Sequence, residues 1–329
     1  MTISVKAALA GVAIAAGALI TGVAPGVTPA AAADAFVAVT AIVEHPALDA
    51  ARDGVRDELA ANGYKPGENL RFEYESAQGN PTTAAQIARK FVGESPDVIV
   101  PIATPSAQAV VATTKDIPVV FTAVTDPVGA KLVEDAEHPG GNVTGVTDLS
   151  PIGKHLDLIR EITPDATRIG VPYNPGEANS ITLLELLKSE AAERDMEIVE
   201  AAATRSSDVL AAAQSLVGNV DAIYVPTDNT IVSALEAVVR IGVQNQIPIY
   251  AGDTASVPRG AMAALGFDYY DVGRQTGKIV LRVLNGEDPG EIPVEGIATT
   301  ELHVNPEMAE KMGVTIPESV MERAKEVVE

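Results

Sequence analysis

The chain of 329 residues contains no cysteine and no tryptophan, and only 4% of its residues are aromatic. Without cysteine there is no disulfide framework and no site for an N-terminal lipid. A zinc centre also loses its commonest ligand. Positive charge is scarce too: 23 Lys and Arg stand against 45 Asp and Glu, a formal net charge of −22. Such a surface repels phosphate backbones, so nucleic acid is excluded as a partner. The acid excess otherwise speaks for solubility rather than for any specific partner. The chain also has no G-x-G-x-x-G after a strand, no G-x-x-x-x-G-K-[ST] and no G-x-S-x-G. Dinucleotide, nucleoside-triphosphate and serine-elbow chemistry therefore find no support. The four histidines, His45, His138, His155 and His303, share no ligand spacing. His45 alone falls on a candidate cleft turn, where it reads as a solvated turn residue. No cofactor, no metal and no catalysis are expected.

What is present begins with a leader. Residues 1–33 carry one charge, Lys6, then an Ala/Gly/Val/Ile-rich run, then the small residues Ala30 to Ala33 before Asp34. A positive start, an apolar stretch and an A-x-A-like site describe a cleaved secretory signal. The run is near the lower length limit of a membrane span, but Gly11, Gly17, Gly22 and Pro25 weaken that reading. Removing Lys6 with the leader leaves a net charge of about −23. A soluble protein of a Gram-negative periplasm is the expected product.

Beyond the leader, apolar runs alternate with helical patterns, which predicts an α/β fold with parallel sheets flanked by helices. One series reads strand 36–43, helix 46–62, strand 70–76, helix 82–92, strand 98–101, helix 105–114 and strand 119–124. A second reads strand 168–171, helix 180–193, strand 197–202, helix 207–217, strand 222–226, helix 231–243 and strand 248–250. The two series match internally. The stretch DVIVPIATPSAQAVVATTKDIPVVFTAVTD (97–126) parallels DAIYVPTDNTIVSALEAVVRIGVQNQIPIYAGD (221–253), and AVTAIVEHPALD (38–49) parallels IGVPYNPGEANS (169–180). Two matches in one order predict two similar α/β domains.

In open parallel sheets, ligands sit beyond the carboxyl ends of the strands. Six polar turns lie at such ends: Glu44–Pro46, Thr104–Ser106, Thr125–Asp126, Asn174–Ser180, Thr227–Asn229 and Asp253–Thr254. Helix capping accounts for any one of them; six together predict a ligand cleft. Further on, residues 272–284 form an apolar helical face stopped by Gly286, with Tyr269 and Tyr270 before it, while Pro317–Val328 reads as a terminal surface helix.

The stretches EHPALD, PIATPSAQ (101–108), TDPVGAKLV (125–133), HPGGNVTGVTD (138–148), NPGEANS (174–180), DAIYVPTDNT (221–230) and YYDVGRQTG (269–277) together resemble the substrate-binding proteins of ABC transporters that include tryptophan- and tyrosine-binding members. The resemblance runs from about residue 36 to 296. It implies the type I periplasmic-binding-protein fold, two Rossmann-like lobes joined by crossing segments and closing on a small ligand. It assigns residues 34–149 plus about 270–296 to one lobe, and 150–269 plus about 297–329 to the other. The implied function is delivery of an amino-acid-like solute, aromatic by preference, from a monomeric receptor to a membrane permease. An exported sensor docking on a signalling receptor would share every one of these features.

An α-amino acid brings a carboxylate and an ammonium group, and a water-poor cleft must pair both. Helix N-termini with hydroxyls suit the carboxylate, which points to Thr104, Ser106 and Ser180. Asp228 is the expected ammonium acceptor, with Asp253 the alternative and Asn229 adding an amide bond. Glu44, Asp126, Asn174 and Asn179 complete the expected site, and Tyr173 is the candidate for stacking on a ring. Intact-mass analysis of exported protein is expected to give a mature chain beginning near Asp34; a retained leader in the membrane fraction would contradict the signal.

Overall fold

A computed structural model describes residues 1–2, 34–297 and 299–328; the leader lies outside the described residues. The chain runs β1 (Ala35–Ala41), α1 (Pro46–Ala61), β2 (Leu70–Ser76), α2 (Pro81–Glu94), β3 (Val98–Ile102), α3 (Thr104–Val111), β4 (Val119–Val124) and β5 (Val143–Thr147). It then crosses to α4 (Ile152–Ile162), β6 (Arg168–Tyr173), α5 (Ala178–Ala192), β7 (Glu197–Ala202), α6 (Val209–Ser215), β8 (Ala222–Val225), α7 (Asn229–Ser233), α8 (Leu235–Asn245), β9 (Ile249–Ala251) and β10 (Ala263–Gly266). It returns through α9 (Tyr269–Leu284) and crosses a third time to β11 (Glu301–Val304), α10 (Pro306–Lys311), α11 (Glu318–Glu322) and β12 (Glu326–Val327).

Two sheets result, one of five strands in the order β2-β1-β3-β4-β5 and one of seven in the order β12-β11-β10-β9-β8-β6-β7. Every pairing is parallel except β10 with β11. The central strands explain themselves: β3 (VIVPI) and β4 (VVFTAV) are buried along their whole length, as strands covered by helices on both faces must be. Each sheet organises its own core. One contains Phe91, Ile99, Phe121 and, from α9, Val272 and Ile279; the other contains Leu156, Ile169, Leu187, Tyr224 and Val304. Each fully buried Leu, Ile or Phe contributes about 1.5–3 kcal/mol, so each lobe has a substantial core of its own.

The pairing of the two series survives in the fold, and the departures have local causes. The helix expected over 231–243 is two helices, because Ala234 takes φ −123° and ψ 29° and breaks the run. The terminal helix expected over 317–328 ends at Glu322; β12 follows and pairs with β11 through His303↔Glu326 and Val304↔Val327. Strands β5 and β10, only five and four residues long, and helix α4 were not anticipated.

The return helix α9 is seated on α1 by missing side chains. A Cβ on Gly54 would fall 2.2 Å from the Tyr270 carbonyl oxygen, and one on Gly273 would fall 2.0 Å from that of Ala51. The two backbones touch, which fixes where the crossing segments leave the first lobe. Gly93 of α2, by contrast, has nothing within 4 Å. Alanine gains about 1 kcal/mol over glycine in a helix, while overpacking costs about 1–3 kcal/mol and sometimes more. At a Cβ–O approach this short the clash wins. Gly54→Ala is expected to lower stability by about 2 kcal/mol, and Gly93→Ala to be neutral or stabilising, in paired urea titrations; equal effects at both positions would overturn the packing account.

Candidate functional site

The carboxyl ends of β1, β3, β4 and β5 face those of β6, β8 and β9, and a small cavity of about 20 Å³ lies between them. That is room for about one water molecule, so a solute enters only as the lobes open or the lining shifts. The first lobe and the crossings supply His45, Ala47, Leu48, Ala123, Thr125, Asp148 and Tyr269; the second supplies Asn179, Thr227, Asn229, Val232 and Asp253. Asp148 follows β5 and Tyr269 opens α9, so both stand where the chain passes between lobes. Two of the seven non-glycine residues with positive φ among the described residues lie at these strand ends. Ala103, the N-cap of α3, has φ 71°, and Ala123, in the irregular stretch of β4, has φ 54°.

Two carboxylates dominate the chemistry. Asp148 accepts from the Tyr269 hydroxyl at 2.6 Å and from Thr125 Oγ1 at 3.1 Å. Asp253 accepts from Ser256 Oγ at 2.6 Å, and its Oδ1 is buried without a partner. Burial pushes both carboxyls above their ordinary range, and for Asp148 the charge of Asp253 adds to the effect. None of the residues lining the cavity is a lysine or arginine. Arg259, the guanidinium that Asp253 feels, is itself bound to Glu236 at 2.8 and 2.9 Å and to the Val232 carbonyl at 2.8 Å.

Further polar atoms at the facing ends are buried and unpaired: His45 Nδ1, Thr104 Oγ1, Ser106 Oγ and Asn179 Oδ1. Thr104 and Ser106 open α3, which packs against α5, the helix carrying Asn179 in its first turn. Buried polar groups in folded proteins almost always have partners, so a cluster of orphans at one seam marks a place for a polar guest.

The sequence-derived residues divide sharply. Asn179, Asn229 and Asp253 line the cavity, as do His45, Thr125 and Thr227 of the same turns; Thr104 and Ser106 stand beside it with free hydroxyls. The others are structural. Asp228 is turned into its own lobe, accepting from Ile231 N at 2.9 Å, Asn174 N at 2.5 Å and Ser180 Oγ at 2.6 Å. All its capacity is spent on capping α7 and tying it to α5, so the geometry moves the acid facing the cavity to Asp253 and Asp148. Ser180 is committed to Asp228. Asn174 bonds Thr230 Oγ1 at 2.8 Å and accepts from Gly176 N at 2.8 Å. Glu44 is exposed and meets Gln78 at 3.0 Å, and Asp126 caps Gly129 N at 2.8 Å. Tyr173 hydrogen-bonds Glu200 at 3.0 Å and does not line the cavity. His45 is no freely solvated turn residue, since its Nδ1 is shielded.

Sequence reasoning missed Asp148, Tyr269 and Glu177. Tyr269 stands before an apolar helical face with nothing local to mark it as facing a cavity, and Asp148 closes the motif HPGGNVTGVTD, whose strand β5 is only five residues long. Glu177 is buried and accepts from Asn229 Nδ2 at 2.6 Å, Asn229 N at 3.2 Å, Thr230 N at 3.1 Å and Thr230 Oγ1 at 2.7 Å. It also takes a weaker bond from Asn179 Nδ2 at 3.3 Å, and so orients both amides that face the cavity.

Comparison with known proteins follows the same lines. The family model described as ABC transporter substrate binding protein matches residues 36–328. A tyrosine-binding protein of Clostridioides difficile is 44% identical over 269 residues, 82% of this chain and 78% of the relative. An ABC domain from Streptococcus pneumoniae solved in complex with L-Trp is 37% identical, covers 90% of this chain and 100% of its own, and superposes with a TM-score of 0.87. The ligand-free, open structure of a substrate binding protein with adhesive properties from Clostridium difficile is 39% identical and covers 90% and 99%, yet its TM-score is only 0.68. At similar identity, this chain superposes more closely on the L-Trp complex than on the open form.

The Asp228 cap can be tested apart from any ligand. Burial and the neighbouring Glu177 raise its carboxyl to about 7. The native state therefore holds this proton more tightly than the unfolded chain, so the group's contribution to stability falls as pH rises from about 4 to 7. Asp228→Ala removes the cap and leaves buried donors unpaired, at a cost of about 2 kcal/mol. The loss should be larger at pH 5 than at pH 8 in urea titrations; a variant as stable as the parent at both would refute the structural role.

Proposed function

Since the chain belongs to the family of ABC transporter substrate binding proteins, we propose that it captures an amino acid with an aromatic side chain between its two closing lobes and hands it to an importer's permease. The observation that carries this reading is the pair Asp148 and Asp253, two buried carboxylates facing one cavity whose lining supplies no basic side chain. Two like charges in a water-poor space raise each other's cost of ionisation, and an ammonium group between them removes that cost. Thr104 and Ser106 at the start of α3, with free hydroxyls and the positive end of the helix, suit the carboxylate. Asn179 and Asn229, oriented by Glu177, can serve either group. Ala47, Leu48, Ala123 and Val232 offer apolar walls for a side chain. The aromatic preference is supported by the tyrosine-binding relative and by the L-Trp complex.

On this reading the protein is an exported, periplasmic monomer whose lobes open and close about the three crossings, one of them carrying Asp148. Closure would bring Asp148 and Asp253 to opposite sides of the ammonium, so that binding and closing are one event. The leader and the absence of lysine, arginine and cysteine from the site fit that role.

Asp253→Asn is expected to weaken amino-acid binding by about 2–5 kcal/mol, the range for breaking a buried charged pair. Folding should be kept, because asparagine preserves the shape of the side chain. Affinity of the parent should also fall as pH is lowered, since the two raised carboxyls must ionise before they can pair with the ammonium. Calorimetry on both proteins across pH checks this; undiminished affinity of Asp253→Asn would transfer the role elsewhere.

A further inference from the structure

His45 is the N-cap of α1, yet its side chain makes no capping hydrogen bond. Ser, Thr, Asp and Asn are preferred at that position because they make one. Proline at the first helical position already sets the start of the helix, so the imidazole is free of structural duty. It is turned instead into the cavity, where Nδ1 is buried without a partner. Nε2 is not among the shielded, unpaired atoms.

The neighbourhood of His45 differs from that of the acids. The charge it feels is Arg259, whose guanidinium is bound to the carbonyl of the cavity-lining Val232; neither Asp148 nor Asp253 perturbs it. Asp148 feels Asp253 and is bonded to Tyr269 and Thr125. His45 therefore lines the same cavity as the acids, Leu48 and Val232 without feeling the charge of either carboxylate. Burial first, and Arg259 second, push the imidazole down to about 3, so the ring is neutral. In the neutral tautomer that carries its proton on Nε2, Nδ1 is an acceptor.

We infer that His45 reads the far end of the ligand: Nδ1 accepts a hydrogen bond from a donor on the ring, so the site selects phenol and indole side chains over plain phenyl. This rests on the aromatic amino-acid reading above and deepens it. A ring without a donor leaves the buried acceptor unpaired, and sites built around a hydrogen bond reject analogues that lack it. A nonpolar pocket alone would favour phenylalanine.

Calorimetry with L-Tyr, L-Trp and L-Phe on the intact protein, and on His45→Leu and His45→Gln, tests the assignment. The parent should bind L-Tyr or L-Trp roughly tenfold or more tightly than L-Phe. In His45→Leu that ratio should collapse to within about threefold, with L-Phe binding kept or improved, while His45→Gln, which restores an acceptor, should recover part of it. Circular dichroism should find both variants folded, since no cap bond is lost. Discrimination unchanged in His45→Leu, or absent from the parent, would overturn the role of His45 while leaving the amino-acid site standing. Failure of all three amino acids to bind the parent would remove the aromatic reading itself, and the His45 assignment with it.

Discussion

The structure turns on two buried carboxylates that meet without a cation. Asp148 sits on a crossing between lobes and Asp253 at the end of a strand in the second lobe. Bringing two such groups together in a space that excludes water is unfavourable unless one is neutral or a positive charge is supplied. Neighbouring hydroxyls from Tyr269, Thr125 and Ser256 soften that cost without cancelling it. On the proposed reading, closure of the lobes is conditional: a bound ammonium, or a proton, must accompany it. A ligand can shift an open–closed equilibrium only through its differential affinity for the two states. On that reading, carboxylates brought together by closure provide such a difference.

The rest of the second lobe serves to keep its ligand-facing amides in place. Glu177 and Asp228 are both buried acids, and they divide the work between them. Glu177 collects the donors of Asn229 and Thr230, while Asp228 collects Asn174 N, Ser180 and Ile231 N. Between them they lock the first turns of α5 and α7 together, so that Asn179 and Asn229 face the cavity from fixed positions. Two acids this close oppose each other, and the raised carboxyl of Asp228 records the cost. That cost is borne by a network with many donors, which is how a rigid polar wall is made from flexible side chains.

Much of this was legible in the sequence because it is periodic. The alternation of apolar runs and helices, and the repeat relating 97–126 to 221–253, located the strand ends and hence the turns that build the site. What sequence could not decide was which way a turn residue points. Asp228 and Asp253 each end one repeat-matched polar turn, yet one carboxylate is swallowed by caps within its lobe and the other is left with a free oxygen in the cavity. That outcome depends on Ser180 and Asn174, 48 and 54 residues away from Asp228, and no local pattern encodes such a meeting. Asp148 was invisible for another reason: β5, VTGVT, is too short and too rich in small residues to announce itself. Tyr173, chosen as a ring partner for its place beside a turn, leans outward to Glu200 instead.

Local rules fail at this site in a consistent way. His45 holds a capping position without capping, Ala103 and Ala123 hold left-handed backbone without being glycine, and Thr104 and Ser106 are buried hydroxyls without partners. Left-handed backbone at a residue other than glycine costs on the order of 1–3 kcal/mol, and unpaired buried polar atoms cost comparably. Departures of the same kinds occur elsewhere, at Ser95 and Gln246 in the backbone and at Thr40 and His155 among unpaired atoms, but here several gather where strands of the first lobe end and the following helices begin. A fold under no demand beyond stability would have relieved such strains with a glycine, a serine cap or an apolar side chain. On the proposed reading the compensating contacts at this seam come from the ligand, and the mixture of acids, hydroxyls and apolar walls suits a guest charged at one end and apolar at the other.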